Sequence, residues 1–301
     1  MPLPCVGPLA LAATFDSGQV FHFTEINGVW VGALNQSMLA VEQREEQPWL
    51  INGEPEAAGH FLSLDHDLER IYTEWPDDDL SQQALALCRG IRILRQPLWE
   101  CVATFITSAQ KQVAHIRAIS LALRERHGRE TGRYEGQSIY AYPGPDQLAA
   151  VSEESLRELK LGYRAPLVRS AAIAFAEGRI DPRIILEAPK EEALAECVKI
   201  PGVGVKVANC VLLFAAGHLD AIPIDVWIRR ILESHRPRGK NRTTGADAFL
   251  RRKFGTHAGY VQQYLFHYLR KTFGRRGNWE AFKDVHEAKS SAAPRRNRRS
   301  P

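Results

Sequence analysis

The sequence predicts an α+β protein, with an N-terminal antiparallel sheet packed on a mostly helical, two-subdomain body containing a helix–hairpin–helix. Three observations carry this prediction. The first fifty residues read as strands around Asn27-Gly28; from Leu62 onward the apolar spacing changes to helical periods; and two glycines interrupt that helical pattern within Pro201–Val205.

Gln19–Thr24 and Val29–Leu34 flank Asn27-Gly28, a dipeptide whose residues both tolerate the positive φ of a type I′ hairpin turn. Met38–Gln43 supplies a third strand. In the helical part, Asp65 is placed to cap Leu68–Trp75, Pro97 can start a helix that runs through Phe105, and Val113–His127 follows. Further helices are expected over Glu153–Leu161, Pro166–Glu177, Lys190–Ile200, Val205–Ala216, Val226–Ser234 and Gly259–Phe273. The chain thereby divides into a sheet domain with its following helices over 1–88 and a helical domain over 89–273, the helix–hairpin–helix lying at 190–216. A C-terminal extension over 274–301 ends in Ser290–Pro301, whose Ser, Ala, Pro and Arg content reads as a disordered basic tail.

The apolar fraction of 45% across 301 residues excludes wholesale disorder and allows a sizeable core. A formal charge of +4 is compatible with nucleic acid but does not identify a nucleic-acid binder. The five cysteines (Cys5, Cys88, Cys101, Cys197, Cys210) are odd in number and form no close pairs. Neither a disulfide framework nor a zinc site is indicated, and reduced thiols in an intracellular protein are the simpler expectation. The stretch from Val6 to Phe15 lacks the charged leader of a signal peptide, and no membrane-spanning segment is expected.

The informative run is Lys199-Ile-Pro-Gly-Val-Gly-Val-Lys-Val-Ala-Asn-Cys210. One helix ends near Pro201 and the next starts after Gly204. The glycines Gly202 and Gly204 bring backbone N–H groups, including that of Val205, to the positive end of the second helix, which makes an anion site suited to a DNA phosphate. A structural monovalent or divalent cation at the hairpin is compatible with that role. Taken alone, the same glycines serve equally well in a plain helix–turn–helix corner. Lys206 stands in the first turn of the second, apolar helix. The helix dipole repels a cation there and burial strips its hydration, so both effects favour the neutral, nucleophilic amine. Asp225, in Ile222-Pro-Ile-Asp225-Val226, follows a proline-containing loop and precedes a helical run, an N-cap position that fixes a carboxylate.

Together, Ile200-Pro-Gly-Val-Gly-Val-Lys206 and Ala221-Ile-Pro-Ile-Asp225-Val226 resemble the helix–hairpin–helix, Gly/Pro-rich loop and aspartate signature of base-excision DNA glycosylases, and more narrowly that of the 8-oxoguanine DNA glycosylases. The likeness runs roughly over residues 12–273. It takes in Asp16-Ser-Gly-Gln-Val-Phe21, Leu94-Arg-Gln with Glu100-Cys101, Phe105-Ile106, Leu161-Gly-Tyr-Arg-Ala165, Ala258-Gly-Tyr-Val-Gln262 and Leu265-Phe266.

The resemblance implies a bifunctional enzyme acting on damaged double-stranded DNA. Lys206 would attack C1′, form a Schiff base and support β-elimination, with Asp225 stabilising charge on the sugar and helping to shuttle protons. The flipped base would lie in a pocket formed by Gly18, Cys210, Gln262 and Phe266, with the Gly18 carbonyl reading the N7–H that 8-oxoguanine has and guanine lacks. Tyr163 would wedge the strand and Arg164 contact the orphaned base. No metal or organic cofactor takes part in this chemistry, and a monomer is expected. Two positions depart from the family. Gln110 stands where an asparagine helps fill the gap left by the flipped base, and Trp227 stands where a histidine contacts the DNA backbone.

Basic residues gather after Asp225: Arg229, Arg230, Arg236, Arg238, Lys240, Arg242 and Arg251 to Lys253 can neutralise phosphates or simply solvate helix faces. Three rival readings stay open. The iron–sulfur glycosylases place four cysteines after the catalytic domain, whereas here no cysteine follows Cys210. Alkylpurine glycosylases generally lack the lysine. A non-catalytic DNA-binding module would need neither Lys206 nor Asp225.

Overall fold

Asn27 and Gly28 adopt φ of +51° and +84°, and the strands on either side pair antiparallel in direct continuation of that turn. The computed structural model describes residues 1–109, 111–229 and 254–274. After a short helix α1 (Leu11–Asp16) come strands β1 (Thr24–Ile26), β2 (Val29–Leu34), β3 (Ser37–Arg44) and β4 (Gln47–Asn52), an antiparallel meander in the order β1-β2-β3-β4. Helices α2 (Pro55–Phe61), α3 (Leu68–Thr73), α4 (Asp79–Cys88), α5 (Leu98–Ser108) and α6 (Val113–His127) follow, then a second hairpin of β5 (Glu130–Tyr134) and β6 (Gln137–Tyr140). The rest is helical: α7 (Pro145–Ala150), α8 (Glu153–Glu158), α9 (Ala165–Ala176), α10 (Pro182–Glu187), α11 (Lys190–Cys197), α12 (Val205–Phe214) and α13 (Ala258–Phe273). The architecture is α+β.

The four-stranded sheet is covered on both faces, and the period of two in its sequence explains how. Leu39 and Val41 point into a core shared with Phe15, Phe23 and Phe61, while Val29, Val31 and Ala40 face Tyr134 and Ile139 of the second hairpin. Leu68, Ile71, Trp75, Leu80, Ala84 and Cys88 join the larger core of the helical body. Packing therefore ties α3 and α4 to the helical body. The reason is α13: Tyr264 accepts at its carbonyl from Cys88 Sγ and donates its hydroxyl to the Ile91 carbonyl at 2.8 Å, which pulls α4 onto the C-terminal helix.

Local details differ from expectation where side chains take over backbone duties. The segment from Gln19 to Phe23 is not a strand. Gln19 uses its buried amide to donate to Ser17 Oγ and the Arg92 carbonyl and to accept from the Leu94 N–H, so it stitches two irregular segments together. The cap of α3 is Asp67, which accepts from the Arg70 N–H at 3.0 Å, whereas Asp65 is held by Arg95. Residues 226–229 are helical, and the remainder of the helix expected from Val226 lies outside the described residues.

Candidate active site

Gly202 has φ +83°, and a Cβ there would lie 3.0 Å from Leu167 Cβ and 3.3 Å from Ile106 Cγ2, so both conformation and space demand glycine. Gly204 differs. It is the N-cap of α12 in an extended conformation, a Cβ would meet nothing within 4 Å, and Val205 after it is 64% exposed. The first N–H groups of the ten-residue α12 have no side-chain cap and face this open side. An anion can approach them closely.

Lys206 follows in the first turn of α12, half-buried, its Nζ 5.6 Å from the centroid of the Phe105 ring. Phe105 is itself sandwiched, stacked on Phe214 at 5.5 Å and edge-on to Phe21 at 6.0 Å. The amine lies close enough to the thiol of Cys210, one turn further along the helix, and to the Asp225 carboxylate to act on both electrostatically. Burial pushes the Cys210 thiol up, and the neighbouring amine opposes that shift.

Asp225 caps the following helical turn. Its Oδ1 accepts from the Trp227 N–H at 3.0 Å and the Ile228 N–H at 2.9 Å. Burial pushes its carboxyl up from the ordinary carboxylate value, while the Ile228 N–H and the Lys206 amine favour the ionised form. Lys206, Cys210 and Asp225 are therefore within electrostatic reach of one another.

A second group assembles from opposite ends of the chain. Gly18 (φ +84°) leaves room for Phe266, whose Cε1 would be 3.1 Å from a Cβ on the glycine, and Val113 Cγ2 would be 3.5 Å away. Gln262, one turn before Phe266 on α13, is buried, and its Oε1 has no hydrogen-bond partner among the described residues. A buried acceptor without a donor is costly unless a ligand completes it. Gln96 joins the two groups: its amide donates to the Gln19 carbonyl beside Gly18, and its N–H donates to the carbonyl of Phe214 on α12.

Tyr163 lies on a short 3-10 turn, 51% exposed, with the Arg164 guanidinium 4.2 Å from its ring centroid. Arg164 is buried, and its guanidinium donates to the carbonyls of Ala109 and Leu161. These bonds hold the guanidinium against the backbone just ahead of residue 110. Gln110 lies outside the described residues, as do residues 230–253 and 275–301, which hold most of the basic cluster and the tail. Arg229 is described and exposed. Phe105, Val113 and Gln96 were not expected to shape the site. The only sequence signal for Phe105 and Gln96 was membership of motifs whose individual roles no local pattern discloses.

Among the described residues, no group of three or more His, Cys, Asp or Glu side chains is arranged to hold a metal ion, and no helix is long and apolar enough to cross a membrane.

Residues 5–102 match the family described as the 8-oxoguanine DNA glycosylase N-terminal domain. A probable N-glycosylase/DNA lyase of Methanothermobacter thermautotrophicus is 32% identical over 233 residues, which cover 71% of this chain and 74% of that protein. An N-glycosylase/DNA lyase of Arabidopsis thaliana is 28% identical over 86% of this chain and 76% of its own length. Among solved structures, the 8-oxoguanine glycosylase/lyase of Clostridium acetobutylicum, bound to double-stranded DNA with cytosine opposite 8-oxoguanine, superimposes with a TM-score of 0.81. It is 29% identical, with 88% of this chain and 93% of that chain covered.

Proposed function

The chain belongs to the 8-oxoguanine DNA glycosylase family, and from that premise we propose how its residues divide the work. The protein is a bifunctional DNA glycosylase that excises 8-oxoguanine from duplex DNA and cleaves the strand at the resulting abasic site. The observation that carries the residue assignment is the Lys206 amine beside the Phe105 ring, within electrostatic reach of the Cys210 thiol and the Asp225 carboxylate.

In this reading the Lys206 amine attacks C1′ of the damaged nucleotide. The C1′–N9 bond breaks, its electron pair leaves with the base, and the base takes up a proton. The amine loses its protons as the sugar ring opens, leaving a Schiff base between Nζ and C1′. Loss of a C2′ proton then expels the 3′ phosphate, and water releases the lysine. Asp225, held rigidly by its two backbone N–H donors, presents a fixed negative charge to the cationic sugar and relays protons.

Base choice rests with Gly18, Gln262 and Phe266. The Gly18 carbonyl accepts from the N7–H of the oxidised purine, the Gln262 amide, whose Oε1 has no partner among the described residues, reads the Watson–Crick edge, and Phe266 stacks. The N–H groups from Gly204 and Val205, with the close turn at Gly202, take a backbone phosphate, and a cation on hairpin carbonyls would add to that attraction. Tyr163 wedges the helix stack, while Arg164 anchors the carbonyl of Ala109. The protein is DNA-associated, and five unpaired thiols fit an intracellular setting, with the chain acting as a monomer.

The test is single-turnover excision on duplexes carrying 8-oxoguanine or undamaged guanine, each opposite the four bases. The reading predicts release of 8-oxoguanine with coupled strand cleavage. Release of neither base, or of both equally, would contradict it.

A further inference from the structure

The loop between α12 and Asp225 meets α13 through a backbone contact: the N–H of Gly259 donates to the carbonyl of Leu219 at 2.7 Å. Gly259 is the second residue of a regular helix, so its conformation does not call for glycine. Space does. A Cβ there would lie 2.3 Å from Leu213 Cδ1, 2.8 Å from the Leu219 carbonyl oxygen and 3.1 Å from that of Ala221.

These three neighbours have separate duties. Leu213 stands on α12, the helix that carries Lys206; Leu219 and Ala221 lie on the loop that leads to Asp225; and Gly259 itself begins the helix that carries Gln262 and Phe266. The segments supplying the amine, the carboxylate and the base-reading side chains thus touch at a position with no side chain. The loop is also fastened away from α13. The Lys190 ammonium of α11 donates to the Asp220 carboxylate at 2.6 Å and to its carbonyl at 3.1 Å, and the His218 N–H donates to the Leu212 carbonyl at 2.9 Å. Atoms added at residue 259 therefore strain the first turn of α13, which leads to Gln262, more than the loop.

We propose that Gly259 is a positioning residue for excision, its bare backbone setting the register between the base-reading helix and the loop that carries Asp225. The inference rests on the roles of Lys206, Asp225 and Gln262 given above. Strain in the first turn of α13 misplaces the groups that read the base but leaves the amine and carboxylate in place, and ångström-scale misplacement is costly.

Gly259→Ala is expected to lower single-turnover 8-oxoguanine excision by about 10- to 100-fold, while cleavage of a preformed abasic duplex stays within about threefold of the wild type. Abasic cleavage is the readout that a general loss of structure would not spare. Should Gly259→Ala fail to fold, the double variant Gly259→Ala/Leu213→Ala removes the Leu213 clash and keeps both carbonyl contacts, and it should show the same split relative to Leu213→Ala alone. Excision at the reference rate, or equal losses in both reactions, would overturn the proposal. A wild type that does not excise 8-oxoguanine would instead sink the underlying functional reading.

Discussion

Gln263 donates from its buried Nε2 to the carbonyl of Ser17 at 3.0 Å, fastening the helix that bears Gln262 and Phe266 to the residue just before Gly18. The two walls of the base pocket are thereby locked together across 246 residues of sequence. Gly18 is the close point of that junction. Gly18→Ala would force a side chain into a backbone at φ +84° and to 3.1 Å from Phe266 Cε1. Strain of this kind costs about 1–3 kcal/mol. We expect selective loss of affinity for 8-oxoguanine duplex over undamaged duplex, read by equilibrium binding in the Lys206→Gln background. Unchanged discrimination would contradict the assignment of Gly18.

Asp225 makes excision sensitive to acid. Its carboxyl is pushed up by burial, so the ionised form that stabilises the sugar cation is lost at a pH above the ordinary carboxylate range. The single-turnover rate should fall as pH is lowered through that raised value. Asp225→Asn should be slower by about 10²- to 10⁴-fold and should lack this acid limb. An acid limb that persists in Asp225→Asn would assign it to another group.

Stability should also fall with acid, for a separate reason. His66 and His267 are each pushed down to about 4, mainly by burial, from the usual 6.5. The neutral His66 ring fits its surroundings: Nε2 accepts from Arg95 at 2.7 Å, leaving Nδ1–H to donate to the Tyr260 hydroxyl at 2.7 Å. The unfolded chain binds these protons first. Their contribution is therefore complete above about pH 6.5 and is lost as pH falls from there toward 4, up to roughly 3 kcal/mol per histidine. Chemical denaturation at a series of pH values checks this. A midpoint that holds steady or rises between pH 6.5 and 4.5 would contradict it.

Arg92 holds the N-terminal segment without an opposing carboxylate among the described residues. It is fully buried, and its guanidinium donates to the carbonyls of Ser63 (2.6 Å), His66 (3.2 Å), Val6 (2.5 Å) and Pro8 (3.0 Å). Arg92→Met keeps much of the volume and strands four acceptors, for an expected loss of about 3–5 kcal/mol. A shift in the denaturation midpoint measures it, and a loss below 1 kcal/mol would show that the carbonyls find water instead.

What the sequence disclosed, and what it withheld, follows from how local each cause is. Lys206 was legible because its helix start, its glycines and its apolar neighbours are contiguous. Asn27-Gly28 was legible because a two-residue turn is set by those residues alone. The segment from Gln19 to Phe23 has strand-like composition, yet the Gln19 amide reaches Arg92 and Leu94, partners over seventy residues away that no window can reveal. The β5–β6 hairpin was missed because its strands are short, polar and only half-buried, and Gly132 interrupts one of them. Arg164 shows the same limit at the site. Its motif identified the residue, but the bond to Ala109 that takes its guanidinium inward spans 55 residues.

The central claim is that one amine bonds covalently to DNA. Borohydride reduction during turnover of an 8-oxoguanine duplex, followed by digestion and mass spectrometry, tests it directly. The account predicts a reduced sugar adduct on the peptide containing Lys206 and no adduct from Lys206→Gln. An adduct on a different lysine, or excision by the wild type with no trapped species, would contradict it.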